Sequence, residues 1–238
     1  MSAYRQNPLA NLTPVVKNIL ILNVIFFIAT YALRSLGIDL QDSLSAYYFN
    51  SPKFRLWQVI TYMFMHAGFM HIFFNMFALF VFGPTIESTM GSKRFLIYYF
   101  ATGIGALVLQ MLVQAFEVHN IIGSFTVPGG DLTPYFAQPG FEALREIYGG
   151  AILGASGSIF GLLVAFGMLF PNVELFIMFI PLPVKAKYAV IGYIVIELYS
   201  GFAQMSGDSV AHFAHLGGAL FGFILIKIWG MRTPNNFY

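Results

Sequence analysis

Six apolar stretches, each near the roughly 20 residues that a helix needs to cross a bilayer, constrain this chain more than any other feature. They run from Asn18 to Leu36, Val59 to Phe82, Phe95 to Phe116, Gly150 to Phe170, Tyr188 to Ala203 and Val210 to Trp229. Barrel strands would alternate apolar and polar residues, whereas these segments are apolar on all sides. Composition agrees: 58% of residues are hydrophobic and 9% charged, against about 25% charged in soluble domains. The expected architecture is an all-α polytopic membrane protein, a bundle of six transmembrane helices. It divides into a short N-terminal segment (residues 1–17), a single membrane domain (18–230) and a short tail (231–238).

The fifth stretch is the shortest. Pro171, Pro181 and Pro183 interrupt the apolar run before it, which predicts a short interfacial or re-entrant hairpin rather than a seventh crossing. The first stretch lacks a small-x-small cleavage site and carries Arg34 where one should be, so it reads as a retained helix. The net charge of +2 and the absence of any basic run give no reason to expect a nucleic-acid partner. With no Cys, disulfides, thiol nucleophiles and Cys-ligated metals are excluded.

Loop charge predicts orientation. With a cytoplasmic N-terminus, the inner segments hold Arg5, Lys17, Lys93, Arg94, Lys185, Lys187, Lys227 and Arg232. The outer segments hold Arg34, Lys53, Arg55 and Arg145. Eight basic residues against four favour both termini inside. Two outer loops are long: residues 37–58, with Trp57, and residues 117–149, whose Gly and Pro content predicts little regular structure. Loops of that length are often functional.

Strongly polar side chains inside a crossing helix are expensive and therefore functional candidates. They are His66, His71, Asn75, Ser156, Ser158, Glu197, His212 and His215. The second, fourth and sixth stretches all run from outside to inside. That topology puts the histidines, Asn75 and Ser156 at one shallow depth near the outer face, because six residues advance only about 9 Å along a helix. His71 and Asn75, four apart, share a helix face.

Gly154, Gly157 and Gly161 surround Ser156, and Gly218 and Gly222 follow His215. Small residues at this spacing let helices approach closely. If the two glycine faces meet, Ser156 and His215 stand opposite each other, as a serine nucleophile and its base must. Free N–H groups at a helix start, together with the side chains of Asn75 and His71, can hold an oxyanion. No carboxylate is placed to orient the histidine unless Asp208 folds over it, so a Ser–His dyad is expected.

At this point the residues resemble a known family. Gly154-Ala155-Ser156-Gly157 is similar to the GxSG nucleophile motif of the rhomboid intramembrane proteases. Ala214-His215-Leu216-Gly217-Gly218 resembles their AHxxG motif, and His66, His71 and Asn75 resemble their HxxxxHxxxN pattern. Gly83, Glu87 and Trp57 also fit, although Gln58 stands where many members have Arg. The resemblance covers about Leu56 to Gly222. It implies a serine endopeptidase that cleaves transmembrane protein substrates near the outer face, without cofactor or metal. Ser156 would be the nucleophile and His215 the base. Asn75, His71 and the Ser156 N–H would bind the oxyanion, with His66 in support. Partners would be transmembrane substrates and membrane lipids. The simplest location for the chain is a prokaryotic cytoplasmic membrane, with the active site facing outward.

The blander readings weigh differently. Ser158 points about 200° away from Ser156 and reads as a packing serine. His212 reads as a structural or water-facing neighbour, and Glu197 as a water-accessible residue near a helix end. Two other function classes compete: a metal site on His66, His71, His212 and His215, and a transporter with a proton-relay histidine cluster. The first leaves Ser156 and its glycines unexplained, and the second would place its site at the midplane, whereas this cluster is shallow and one-sided.

Overall fold

A computed structural model of the chain describes residues 12–176, 182–203 and 212–233. The helices among them are α1 (Pro14–Arg34), α2 (Leu40–Leu44), α3 (Gln58–Thr61), α4 (Phe69–Met90), α5 (Ser92–Ile122), α6 (Phe141–Gly149), α7 (Ser156–Leu169), α8 (Ala186–Ala203) and α9 (His212–Ile228). By length and composition, α1, α4 and α5 are long and apolar enough to cross a membrane; α7 and α9 are shorter apolar helices. Large apolar side chains stand exposed along α1, α4 and α8, among them Ile28, Phe77 and Ile196. That is the surface of a protein whose solvent includes lipid.

Several expected boundaries move, each for a local reason. The second stretch does not form one helix from Val59. It begins with α3 and a 3₁₀ turn at Tyr62–Phe64, breaks, and restarts at Phe69 behind an extended Gly68. His66 therefore lies in the break rather than on the helix with His71. The fourth helix starts at Ser156 rather than near Gly150, because the residues before it are drawn into other contacts. Ala46 and Ile152 exchange backbone hydrogen bonds of 2.9 and 2.7 Å, and the Gly154 N–H donates to the Tyr62 carbonyl at 2.9 Å. Gly154 takes φ +125°, a conformation L-residues rarely adopt.

The helix of the third stretch, α5, is longer than expected. Its 31 residues extend about 46 Å at 1.5 Å per residue, past Phe116 into the loop. That loop is also more regular than its Gly and Pro content predicts. Leu144, Ile147 and Tyr148 lie on one face of α6 and are buried with Tyr48, Val118 and Val127. This small second core lets the segment fold. Near it, the Lys53 ammonium lies 2.6 Å from Asp42 and holds that carboxyl below its ordinary range.

The expected hairpin before the fifth stretch is present at its base. Strand β1 (Glu174–Leu175) pairs antiparallel with β2 (Val184–Lys185); Pro181 lies outside the described residues. At the same end, Glu87 reaches across from α4 to cap α1. Its carboxylate accepts from the N–H groups of Val15 at 3.1 Å and Val16 at 2.9 Å, and from the Ser92 hydroxyl at 2.6 Å. These are unpaired helix-start donors at the positive end of a helix dipole, which explains a buried acid in an apolar helix.

The inner packing is α9 against both α5 and α7. A Cβ on Gly218 would overlap the Gly157 carbonyl, and one on Gly222 would lie 3.0 Å from the Gly161 Cα. The glycine faces thus meet backbone to backbone. Buried hydroxyls stitch the same layer: Tyr98 donates to the Gly161 carbonyl at 2.7 Å and Ser158 to the Tyr99 carbonyl at 2.6 Å. A polar group removed from water in this way must find a partner.

Candidate active site

Ser156 is the first residue of α7, with Ala155 in the capping position before it. Its hydroxyl is therefore not spent on capping the helix, and the first N–H groups of α7 have no partner within the helix. His215, in the first turn of α9, puts Nε2 2.8 Å from the Ser156 Oγ. The glycine contact fixes this spacing, because α9 could not lie so close to α7 if Gly218 carried a side chain. Phe160, one turn after Ser156 on α7, stacks on the His215 ring with centroids 4.4 Å apart and planes at 7°.

The α4 residues gather at the same place. The His71 Nε2 lies 2.7 Å from where a Gly154 Cβ would be, and the Ser156 Oγ lies 3.7 Å from that same point. His71 and Ser156 thus sit on either side of a gap that only glycine leaves open. Asn75 is buried, and its Nδ2 has no hydrogen-bond partner among the described residues. His66 is 2% exposed, packs edge-on to His71 at 5.0 Å, and neither ring nitrogen has a hydrogen-bond partner among the described residues. His66 also anchors the first loop, through its carbonyl, which accepts from the Gln41 Nε2 at 2.8 Å.

The first loop is tied down by the residues flanking the family's usual arginine position. The Trp57 Nε1 donates to the Ser43 carbonyl at 3.1 Å. Gln58 is almost wholly buried, donates to the Lys53 carbonyl at 3.0 Å and accepts from the Arg55 N–H at 2.9 Å. Glutamine thus finds its own satisfied network where arginine is usual.

One residue does more than the sequence suggested. Glu197 of α8 faces the two α9 histidines. Its Oε2 lies 2.6 Å from the His212 Nδ1 and 3.0 Å from the His215 Nδ1, with side-chain exposures of 12–14%. The second approach is an ion-pair distance off the axis of an aligned hydrogen bond. A carboxylate thus stands beside His215 where none was expected; Asp208, the acid considered from sequence, lies outside the described residues. The signal for Glu197 was its charge within an apolar segment, but which histidine it meets depends on the rotation of α8. Phe160 could have been found, since four residues separate it from Ser156 on one helix face.

Among the described residues, the group whose ligand atoms lie within 4.8 Å of one another is Glu197, His212 and His215. It differs from the four-histidine set considered from sequence, because His66 and His71 belong to the opposite wall.

Comparison with known proteins follows the same residues. The chain matches the Rhomboid domain over residues 53–232. It is similar to the rhomboid protein YdcA of Bacillus subtilis, 27% identical over 91% of this chain and 90% of that one. It is also similar to rhomboid-like protease 3 of Toxoplasma gondii, 34% identical over 33% of this chain and 30% of that protein. With rhomboid-like protein 12, mitochondrial, of Arabidopsis thaliana the identity is 30%, over 71% of this chain and 45% of that protein. The chain thus spans most of the bacterial relative but half or less of these eukaryotic ones. A domain match over most of the chain, on a helical fold with long apolar helices, makes this an integral membrane protein that belongs to the rhomboid family.

Proposed function

We propose that the protein is an intramembrane serine endopeptidase that cleaves transmembrane protein substrates near the outer face. The observation that carries this reading is the 2.8 Å approach of the His215 Nε2 to the Ser156 Oγ at the foot of a helix with free N–H groups. A substrate helix approaches from the lipid and unwinds near its outer end. His215 takes the Ser156 proton as Oγ attacks the scissile carbonyl. The oxyanion is held by the unpartnered Asn75 amide, His71 and the Ser156 N–H. The acyl-enzyme is then hydrolysed by water entering from outside. His66 supports His71 by packing against it.

In this reading α1, α4, α5, α7, α8 and α9 are the six crossing helices of one membrane domain, residues 18–230. The short flanking segments, 1–17 and 231–238, are cytoplasmic. Lys93 and Arg94 at the start of α5, Lys185 at the end of β2, Lys187 at the start of α8 and Lys227 at the end of α9 lie at the helix ends opposite Ser156. Their clustering supports an inner face there and an outward-facing active site, in a prokaryotic cytoplasmic membrane.

The test is labelling of the detergent-purified protein by a fluorophosphonate probe. Wild type should label, and Ser156→Ala and His215→Ala should not. Labelling that persists in Ser156→Ala would assign the wrong serine. No labelling of folded wild type would move weight to a metal-binding or proton-relay protein, the reading that the Glu197, His212 and His215 group would then favour.

A further inference from the structure

Glu197 is the one carboxylate of α8, on a segment that otherwise presents Ile, Val, Leu and Tyr. An acid in such a place is costly unless paired. Its partners are the Nδ1 atoms of His212 and His215, at 2.6 and 3.0 Å from the same oxygen. A neutral imidazole has one N–H and one lone pair. A carboxylate at Nδ1 favours the tautomer with the proton there, which leaves the Nε2 lone pair facing the Ser156 hydroxyl. That is the tautomer a general base requires. Phe160 fixes the ring plane from the other helix, so position, plane and tautomer of His215 are each set by a different neighbour.

We infer that Glu197 is a positioning residue of the reaction, so that the working set is Ser156, His215 and Glu197, with His212 holding the carboxylate. The inference rests on the protease reading. In the attack step, the Ser156 O–H bond breaks and its proton passes to the His215 Nε2. Oγ forms the bond to the scissile carbon, whose π electrons move to the oxyanion. The imidazolium then stands beside an anionic Glu197, which keeps its charge and takes no proton. The 3.0 Å contact, off-axis in the resting protein, tightens as the ring becomes cationic, as catalytic contacts commonly do on the way to the transition state. The groups facing His215 are Glu197 from α8, His212 from its own helix, Ser156 and Phe160 from α7, and His71 from α4.

The experiment measures the second-order rate of fluorophosphonate labelling of the full chain across pH for wild type, Glu197→Gln and Glu197→Asp, with thermal midpoints alongside. Glu197→Gln should lower the plateau rate by about tenfold to a thousandfold, less than the roughly ten-thousandfold lost when the aligned acid of a soluble serine protease is removed, because the contact to His215 is off-axis in the resting protein. Glu197→Asp should regain part of the rate. Wild-type rate and pH profile in Glu197→Gln would overturn the assignment while leaving the protease reading intact. Equal loss in both variants with lowered midpoints would make Glu197 merely structural. Stoichiometric zinc in the purified chain would make it a metal ligand. An unlabelled wild type would remove the protease reading and this inference together.

Discussion

Gly218 of α9 and Gly157 of α7 meet so closely that a Cβ on the first would overlap the carbonyl of the second. The spacing of the proposed catalytic pair hangs on this contact, because His215 and Ser156 each lie within a turn of it. Gly218→Ala should push the helices apart, destabilising the fold by about 1–3 kcal/mol as overpacked cores do, and should lose most labelling. A variant with unchanged thermal midpoint and activity would show that the helices re-pack freely.

Gly154 sits at φ +125° with the His71 imidazole directly over it. Gly154→Ala meets both backbone strain, about 1–3 kcal/mol at such positions, and a clash with His71. Its expected phenotype is a strong loss of cleavage in protein that still assembles in the membrane, read by comparing activity with size-exclusion behaviour.

Asn75 offers an amide donor with no resting partner among the described residues. Asn75→Ala should slow turnover on the order of a hundredfold, the usual cost of one oxyanion donor, without abolishing it. An unchanged rate in a purified assay would remove Asn75 from the mechanism.

His212 and His215 share one carboxylate, and it is His215 whose Nε2 meets the Ser156 hydroxyl. His212→Ala should keep clear activity, whereas His215→Ala should keep none above background. Equal inactivity of the two, measured in the same preparation, would mean that the base has been assigned to the wrong ring or to both.

Phe160 holds the His215 ring by a near-parallel stack, a contact worth about 0.5–1.5 kcal/mol. Phe160→Ala should cut the labelling rate up to about tenfold, and Phe160→Tyr should restore it. Identical rates in all three proteins would show that the glycine packing alone orients His215.

The sequence by itself determined the class of protein and singled out the pair of residues proposed to react. Apolar runs of bilayer length and polar residues stranded inside them are local signals, since a side chain's transfer cost depends on the residue and its depth rather than on its neighbours. Ser156, His215 and the glycines beside them were legible for that reason. Only the tertiary structure decided how helices begin and which faces meet. Ser156 opens α7 because Ala46 and Tyr62, far away in the chain, claim the residues before it; His66 falls in a break that hydropathy cannot register. Glu197 showed its cost in the sequence but not its partner. That partnership is set by the rotation of α8 against α9, a sum of many weak packing contacts that no single residue encodes.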